Sequence, residues 1–335
     1  MRLSILDQSP IVSGHTPAQA IQATLELATL ADRLGYHRYW LAEHHAMKGL
    51  ADPCPEILLG QVAARTKRIR AGTGGVLLPY YSPLKVAEVF RMYEALFPGR
   101  IDLGIGRAPG GNLLTAQAMN ADAFAGQDRF PTQVQETLGF LNDALPADYP
   151  FHAVKAMPVG PTSPEVWLLG SSDYSGSLAS YLGLRFSFAH FISAHGGPAV
   201  MRAYRSGFRP AYRDERPYCM VAVFAICAPT QAEAERLAVS IDLRRLEMTR
   251  GQEEPIATVE EALARPLSDM DRAVIEKERA RAVIGTPAAV KLRLLELEQQ
   301  FQADEIMIIT ITGDYASRLR SYQLLAEACE LLAGP

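Results

Sequence analysis

The sequence is poor in cysteine and lacks the features of a secreted chain. Its 335 residues include only four cysteines, and these show neither CxxC spacing nor the spacing of metal ligands: Cys54, Cys219, Cys227 and Cys329. We therefore expect reduced thiols and no bound metal. The first ten residues, MRLSILDQSP, lack the cationic head and long apolar segment of a signal peptide, so we expect a cytoplasmic protein.

The chain also lacks a strong net charge and any long apolar run. Its 33 basic and 37 acidic residues leave a net charge of −4, which gives no electrostatic basis for binding nucleic acid or an anionic membrane. No apolar run reaches the length of a membrane span. With 48% hydrophobic and 21% charged residues, the composition is typical of a soluble globular protein. We expect neither nucleic acid nor a membrane among its partners.

Eight strand-like segments alternate with helix-like segments along the chain. The predicted strands are Leu3–Leu6, Tyr39–Ala42, Ile69–Leu78, Ile101–Ile105, Val166–Leu169, Phe186–Ile192, Cys219–Ile226 and Glu305–Ile311. Such alternation indicates a parallel sheet with right-handed crossovers. Eight units in a chain of this length predict an α/β fold, a closed (β/α)8 TIM barrel that forms a single domain over residues 1–335.

A doubly wound open sheet is the alternative architecture. It is disfavoured because the first strand is followed by Asp7-Gln8-Ser9-Pro10 and lacks the Gly-x-Gly-x-x-Gly turn of dinucleotide-binding sheets. Residues 250–284 interrupt the rhythm of strands and helices, since they are charged and weakly periodic. We expect these residues to form an irregular insertion before the last βα unit.

Polar residues gather where the predicted strands end, which is the face of a barrel that carries the active site. His44 and His45 follow the second strand, and because successive strand residues point to opposite faces, at most one of them enters the barrel mouth. This argues against a two-histidine metal site. The histidine that enters would serve as a polar group or general base, with strand capping or packing as the alternative. His190, after the sixth strand, either packs in the core or lines the cavity.

Three further strand ends suggest a bound anion or a close ligand. Arg107 lies in a glycine-rich loop, where backbone N–H groups can approach a ligand, and its guanidinium suits phosphate. Ser171 and Ser172 begin a helix, whose free N–H groups attract an anion. Together these residues predict a clamp for a monophosphate; an ordinary turn and ordinary serine caps are the alternatives. The glycines of Gly72–Gly75 mark either close approach of a ligand or crowding by large neighbours.

Five segments, in this order, resemble the bacterial luciferase-like flavin-dependent oxidoreductases and monooxygenases: AEHH, GTGGVLLPYYSPLKVAE, FPGRIDLGIGRAPGG, LLGSSDYSGSLASYLGL and VIGTPAAV…ADEIMI. The resemblance extends from Leu3 to about Ala328. It implies an FMN-dependent monooxygenase that receives reduced FMN from a separate reductase and uses O2 to oxidise a small organic substrate through a flavin hydroperoxide. It also implies a homodimer that pairs through helices 55–66 and 83–97.

The resemblance assigns roles to individual residues. The flavin phosphate would be held by four side chains: Arg107, Ser171, Ser172 and Ser175. Gly74 and Gly75 would form a third-strand bulge, often with a non-proline cis peptide, that braces the isoalloxazine ring. His44 would be the catalytic histidine, and the substrate pocket would include Ser9, His45 and His190. Residues 250–284 would form a mobile lid over the flavin.

Two departures from the family pattern limit the prediction. Gly106 stands where light-emitting members carry cysteine, so we do not expect bioluminescence. Ser171 stands where luciferase is acidic, so the phosphate contacts differ in detail. The alternatives are a deazaflavin-dependent hydride-transfer oxidoreductase, whose longer cofactor would need more basic residues than Arg107 and Arg129, and a non-catalytic flavin-binding protein. The organic substrate is not predicted, since its specificity would come from loops 107–130 and 250–284.

Overall fold

The computed structural model of the protein describes residues 1–123, 128–193, 195–211 and 214–331. In it, ten parallel strands form one sheet that closes into a barrel of eight positions, because the third and fourth strands share one position and the ninth pairs only with the eighth. The strands are β1 (Leu3–Asp7), β2 (Arg38–Leu41), β3 (Arg70–Thr73), β4 (Val76–Leu77), β5 (Ile101–Gly106), β6 (Glu165–Gly170), β7 (Arg185–Ala189), β8 (Cys219–Cys227), β9 (Ala282–Gly285) and β10 (Glu305–Ile309). Strand β10 pairs with both β1 and β8, which closes the sheet. The predicted (β/α)8 barrel is confirmed, and the open-sheet alternative is wrong.

Helices cover the outside of this barrel, and most of them lie between successive strands. They are α1 (Pro17–Leu34), α2 (Pro55–Arg65), α3 (Pro83–Leu96), α4 (Leu113–Met119), α5 (Phe130–Asn142), α6 (Asp173–Leu182), α7 (Gly197–Gly207), α8 (Gln231–Thr249), α9 (Val259–Ala264), α10 (Asp269–Arg279), α11 (Pro287–Phe301) and α12 (Tyr315–Ala328). Helix α1 illustrates the local rules: Thr16 and Gln19 form a capping box, and Gly35 ends the helix in the left-handed conformation. No helix among the described residues has the length and apolarity of a membrane span.

Apolar side chains fill both sides of the barrel wall. Along β2, Tyr39 and Leu41 join the layer between barrel and helices, whereas Trp40 belongs to the cluster inside the barrel. Inside, Trp40 packs edge-to-face on Trp167, with ring centres 5.2 Å apart. The alternation of strand side chains therefore produces two apolar layers from one sheet.

A buried ionic network closes the amino-terminal end of the barrel. The Arg38 guanidinium lies 2.8 Å from Asp102, 2.7 Å from Glu165 and 3.1 Å from Glu305. Since a charge away from water is stable only with partners of opposite sign, these four residues form one structural unit. The carboxyl ends of the strands are thus the end that is left for a binding site.

The segment 250–284 differs from the expectation of an irregular insertion. It contains α9 and α10, each of which begins with a capping box. It also contains β9, which pairs in parallel with the carboxyl-terminal half of β8. These helices were not predicted because they are short, rich in charged residues and have few buried positions. Strand β9 has only four residues and its place depends on β8, which is distant in sequence.

Candidate active site

The residues that follow β2 point alternately into the barrel mouth and away from it. His44 lines a cavity of about 460 Å³ that is bounded by the ends of β1, β2, β7, β8 and β10 and by α8. His45 points the other way: its Nε2 lies 2.7 Å from Glu43 Oε1, and its ring packs edge-to-face on Tyr80. Only one of the two histidines enters the mouth, as strand alternation predicts. His45 is not among the described residues that line this cavity, and its placement in the substrate pocket stays a prediction.

His44 is electrically neutral and incompletely bonded in this cavity. Burial, together with the positive charge of Arg244, lowers the pKa of His44 to about 4. Its Nδ1 is buried and has no hydrogen-bond partner among the residues that the structure describes. Since an unpaired buried polar atom costs roughly 1–3 kcal/mol, this nitrogen indicates a place where a ligand completes the hydrogen bonding.

Glu43, which no sequence pattern singled out, connects the end of β2 to β4. Its carboxylate accepts hydrogen bonds from the Leu77 N–H at 2.9 Å and from the Tyr81 hydroxyl at 2.7 Å, besides its contact with His45. The side chain is almost completely buried. Glu43 therefore positions the backbone that carries His44.

The third strand is interrupted by the Gly74–Gly75 bulge, whose peptide bond is cis, as the resemblance implies. A Cβ atom on Gly74 would lie 2.6 Å from Leu6 Cδ1, and one on Gly75 would lie 2.6 Å from the carbonyl oxygen of Gly104. Of the two explanations for these glycines, crowding by neighbours is sufficient at both positions. Beyond the bulge, β4 pairs with β5.

Arg107 lies at the rim of the mouth in contact with the start of α6. Its guanidinium carbon is 4.2 Å from the ring centre of Tyr174, and its Nη1 is 3.3 Å from Asp128 Oδ2. The Tyr174 hydroxyl donates to the same carboxylate at 2.7 Å. Burial raises the pKa of Asp128, but hydrogen bonds from Tyr174 and from the Phe130 N–H outweigh it, and the pKa is lowered. The ion pair is half-exposed and hence weak, so Arg107 can exchange it for another anion.

The predicted serines surround the first turn of α6. Ser172 is the N-cap residue, yet its side chain makes no capping hydrogen bond, and Ser171 precedes it at the end of β6. Ser175 is buried and packs directly beneath Gly170, where a Cβ atom would collide with it. Through Tyr174, the structure brings this helix start and Arg107 together.

Two predicted pocket residues lie away from the cavity. Ser9 is fully buried; its Oγ accepts a hydrogen bond from Thr24 at 3.0 Å, and its N–H donates to Asp7, so its role is structural. His190 packs edge-to-face on Phe301 of α11, with ring centres 5.3 Å apart, on the outer side of the barrel wall. Neither is among the described residues that line the cavity, and their placement in the substrate pocket stays a prediction.

Other residues form the cavity instead, most of them apolar. The lining residues are Gln8, His44, Met47, Leu50, Phe191, Ile192, Phe224, Ile241, Arg244, Arg245, Met248, Thr249, Glu278, Arg281, Ile309 and Ile311. Arg244 and Arg245 were not predicted, because a pair of arginines in a helical segment is more often solvated. Among the described residues, no group of three or more His, Cys, Asp or Glu side chains could hold a metal ion.

The chain matches known proteins in sequence along nearly its whole length. The family model for luciferase-like monooxygenases matches residues 1–303. The chain is 37% identical to a luciferase-like monooxygenase of Escherichia coli, over 99% of this chain and 98% of that protein. It is 36% identical to an N-acetyl-S-alkylcysteine monooxygenase of Bacillus subtilis, over 98% of each chain.

Solved structures share the architecture. The crystal structure of apo-MsnO8 superposes with a TM-score of 0.91 at 40% identity and covers 99% of both chains. The oxygenating constituent of 3,6-diketocamphane monooxygenase from Pseudomonas putida, in complex with FMN, has a TM-score of 0.69 at 19% identity, over 98% of this chain and 97% of that chain. An F420-dependent secondary alcohol dehydrogenase has a TM-score of 0.68 at 14% identity, over 98% of both chains. The last two likenesses concern the fold alone.

Proposed function

This chain belongs to the luciferase-like monooxygenase family, and we propose on that premise that it is an FMN-dependent monooxygenase of a small organic substrate. The resemblance predicted from the five sequence segments is confirmed by the family match, and the enzyme is of the flavin-dependent, oxygen-incorporating kind. FMN as the flavin, a separate reductase as its source and the residues that bind it are our proposals. Supply by a separate reductase agrees with the sequence, whose first strand lacks the Gly-x-Gly-x-x-Gly turn of dinucleotide-binding sheets.

We assign the flavin phosphate to the start of α6. Arg107 provides a charge at the rim, Ser171 and Ser172 provide hydroxyl groups, and the first turn of the helix provides N–H donors. The Ser172 side chain makes no hydrogen bond to its own helix, which is the observation that carries this assignment. Ser175 supports the turn from beneath. One cation with hydroxyl and amide donors suits a monophosphate, which is the end group of FMN.

The isoalloxazine ring is assigned to the space between the Gly74–Gly75 bulge and the cavity lined by His44. Reduced FMN, when bound, supplies the electrons that activate O2 for transfer of one oxygen atom to the substrate. His44, neutral at pH 7, offers one hydrogen-bond donor and one acceptor there, and it orients the substrate or accepts a proton from it. The apolar walls of the cavity exclude water from the reacting atoms.

We propose that segment 250–284 covers the mouth as a lid. Its first residues bridge to the loop after β1: Ile256 pairs with Val12, and Glu261 accepts a hydrogen bond from Ser13 at 2.8 Å. On the loop after β2, Lys48 lies 3.0 Å from Glu254. Ile256 is fully buried against Val12 and anchors the segment, whereas the contacts of Glu261 and Lys48 are exposed and are the ones that would open for substrate entry.

A second copy of the chain is the proposed partner. Three large apolar side chains on adjacent helices are more than half exposed: Ile57 on α2, and Met92 and Leu96 on α3. The helices pack together, since the Tyr93 hydroxyl donates to the Glu56 carbonyl oxygen. An exposed apolar patch of this kind is typical of a contact between subunits.

The phosphate assignment is tested with Arg107→Ala. The loss of a charged hydrogen-bonding partner should weaken FMN binding by about 1.5–3 kcal/mol, which is roughly ten- to a hundredfold in Kd. Isothermal titration with FMN measures this directly. Arg129→Ala, an exposed arginine beside the same rim, is the matched control and should leave the affinity unchanged. Equal affinities of the Arg107 variant and the control would refute the assignment.

A further inference from the structure

The wall of the active-site cavity that α8 forms carries positive charge that the protein does not neutralise. Arg244 and Arg245 of this helix line the cavity together with Arg281, which follows α10. This wall follows β8 in the barrel, whereas the proposed phosphate site follows β5 and β6. The two groups of cations therefore lie at different parts of the mouth.

The contacts of the two α8 arginines are few and long. Arg244 is only 8% exposed, and its Nη1 lies 3.4 Å from the carbonyl oxygen of Glu254. Arg245 has its Nη1 at 3.3 Å from the carbonyl oxygen of Glu278, and its guanidinium carbon lies 4.6 Å from the ring centre of Phe224. Among the described residues, neither forms an ion pair with a carboxylate. Each guanidinium has five N–H donors, so most of them are left for a ligand.

Glu253 is the carboxylate whose charge acts most on Arg244, but the two form no ion pair among the described residues; three other acidic residues nearby are engaged elsewhere. Each forms an ion pair with another arginine: Glu247 with Arg265, Asp242 with Arg279, and Glu278 with Arg281. Among the described residues that line the cavity, Glu278 is also the one carboxylate. Two positive charges are thus left on the wall, while His44 opposite is neutral.

The protein itself disfavours these charges. Burial, and next the positive charge of Arg281, lower the pKa of Arg245 to about 10; burial also lowers the pKa of Arg244. Both groups still carry a full charge at pH 7. Buried charges are ordinarily paired, because removal from water without a partner is costly. A retained pair of this kind in a cavity indicates an anionic ligand.

The rest of the cavity fixes the character of that ligand. Apolar side chains from three different parts of the chain line the same cavity as the arginines: Leu50, Phe191, Ile192, Ile309 and Ile311. We propose that the substrate is an organic carboxylate with an apolar body, held by its carboxylate at Arg244 and Arg245. Guanidinium groups bind carboxylates through paired hydrogen bonds, and the apolar walls accept the remainder of the molecule. This inference rests on the proposed function, because it names the substrate class of the same site.

The experiment compares two probes of nearly the same shape, 4-phenylbutanoate and its uncharged amide, 4-phenylbutanamide. Isothermal titration of the whole protein is done with and without saturating FMN. We expect the carboxylate to bind at least about tenfold more tightly than the amide, which is the range of a charged hydrogen bond. Arg244→Gln and Arg245→Gln should each weaken carboxylate binding by roughly ten- to a hundredfold and leave the amide unchanged.

Two further variants control this experiment. Arg236→Gln, an exposed arginine of the same helix, should bind the carboxylate like the wild type. Arg244→Lys keeps the charge and should retain part of the preference; it also replaces the glutamine variant if that variant fails to fold. Circular dichroism checks the fold of each protein.

Several outcomes would overturn the inference. These are equal binding of the two probes, binding of neither, or carboxylate binding that survives both glutamine substitutions. If Arg245→Gln weakens FMN binding in place of probe binding, the two arginines hold the flavin phosphate and the inference is wrong. If the protein binds no FMN yet prefers the carboxylate, the proposed function fails and the anion site stands.

Discussion

Asp52 carries a carboxylate whose ionisation the surrounding protein opposes. Its Oδ1 accepts a hydrogen bond from the Cys54 N–H at 3.1 Å, but its buried Oδ2 has no partner among the described residues. Burial, and more weakly the charges of Asp7, Glu56 and Glu43, raise the pKa of Asp52 to about 7. In the unfolded chain the group ionises near its ordinary value of about 3.9. The unfolded state therefore gains stability relative to the folded state as the pH rises from about 4 to about 7.

Asp52→Asn should therefore stabilise the protein, and more so at high pH. The amide keeps the hydrogen bond to Cys54 and never ionises. We expect its advantage in the free energy of unfolding to grow by roughly 2–3 kcal/mol between pH 5 and pH 8. Urea unfolding at the two pH values measures it. Asp148→Asn, at an exposed position, is the control; the same advantage for Asp52→Asn at both pH values would show that Asp52 is already ionised at pH 5.

For single residues, the sequence predicted correctly which side chains enter the barrel mouth where this depends on the alternation of side chains along a strand. His44 enters the mouth and His45 does not, as neighbouring residues on a strand require. Arg107 and Ser172 lie together because parallel strands end at one edge. Arg244 was not predicted, since its burial comes from packing against a loop after β2 and against residues near Glu254, and no local pattern contains that information.

At the scale of elements, the strands and long helices were predictable because each buries one face or both. Strand β8 reads as a continuous apolar run and is buried along its whole length. Helix α10 has few buried positions, and β9 is short, so neither produces a pattern that can be told from a loop. Apolar periodicity therefore does not predict elements that are stabilised mainly by caps or by a neighbouring strand.

The close contact of β3 and β5 at the bulge gives a prediction for this scale. Thr73 Oγ1 lies 3.1 Å from the Gly104 carbonyl oxygen and 3.2 Å from its nitrogen, and a Cβ on Gly104 would overlap the Thr73 carbonyl oxygen. Gly104→Ala should therefore cost roughly 1–3 kcal/mol or more in the free energy of unfolding, as overpacking of backbone does.

Chemical denaturation compares this variant with Gly160→Ala. Gly160 has no atom within 4 Å of the place where a Cβ would stand, so its substitution should change stability by less than about 0.5 kcal/mol. If the two alanine variants are equally stable, the strands at the bulge are farther apart than we describe.

For the whole molecule, the number and order of the strands were sufficient to predict closure. Eight alternating units predicted the barrel, but the closing contact of β10 with β8 and the ionic network around Arg38 join residues more than 60 positions apart in sequence. Such contacts are a consequence of the fold and cannot be predicted from the sequence until the fold is known. The same holds for the apolar patch on α2 and α3, whose members are separated in sequence and become neighbours only through helix packing.

The proposed homodimer is tested at that patch. Met92→Glu places a charge among apolar side chains that we expect to be buried between subunits, so it should shift the protein towards the monomer. Sedimentation velocity measures the molecular mass in solution. Met270→Glu, at a more exposed methionine on α10, should leave the dimer intact. A wild-type protein that is monomeric at micromolar concentration would refute the dimer.

The central claim, that this chain uses reduced FMN, is tested most directly by an anaerobic titration. Trp40 packs against Gly74 beneath the proposed flavin site, so quenching of its fluorescence reports on binding there. We predict that reduced FMN binds at least about tenfold more tightly than oxidised FMN, while a deazaflavin cofactor causes no saturable change. Saturable binding of the deazaflavin, with no binding of FMN in either state, would contradict the account.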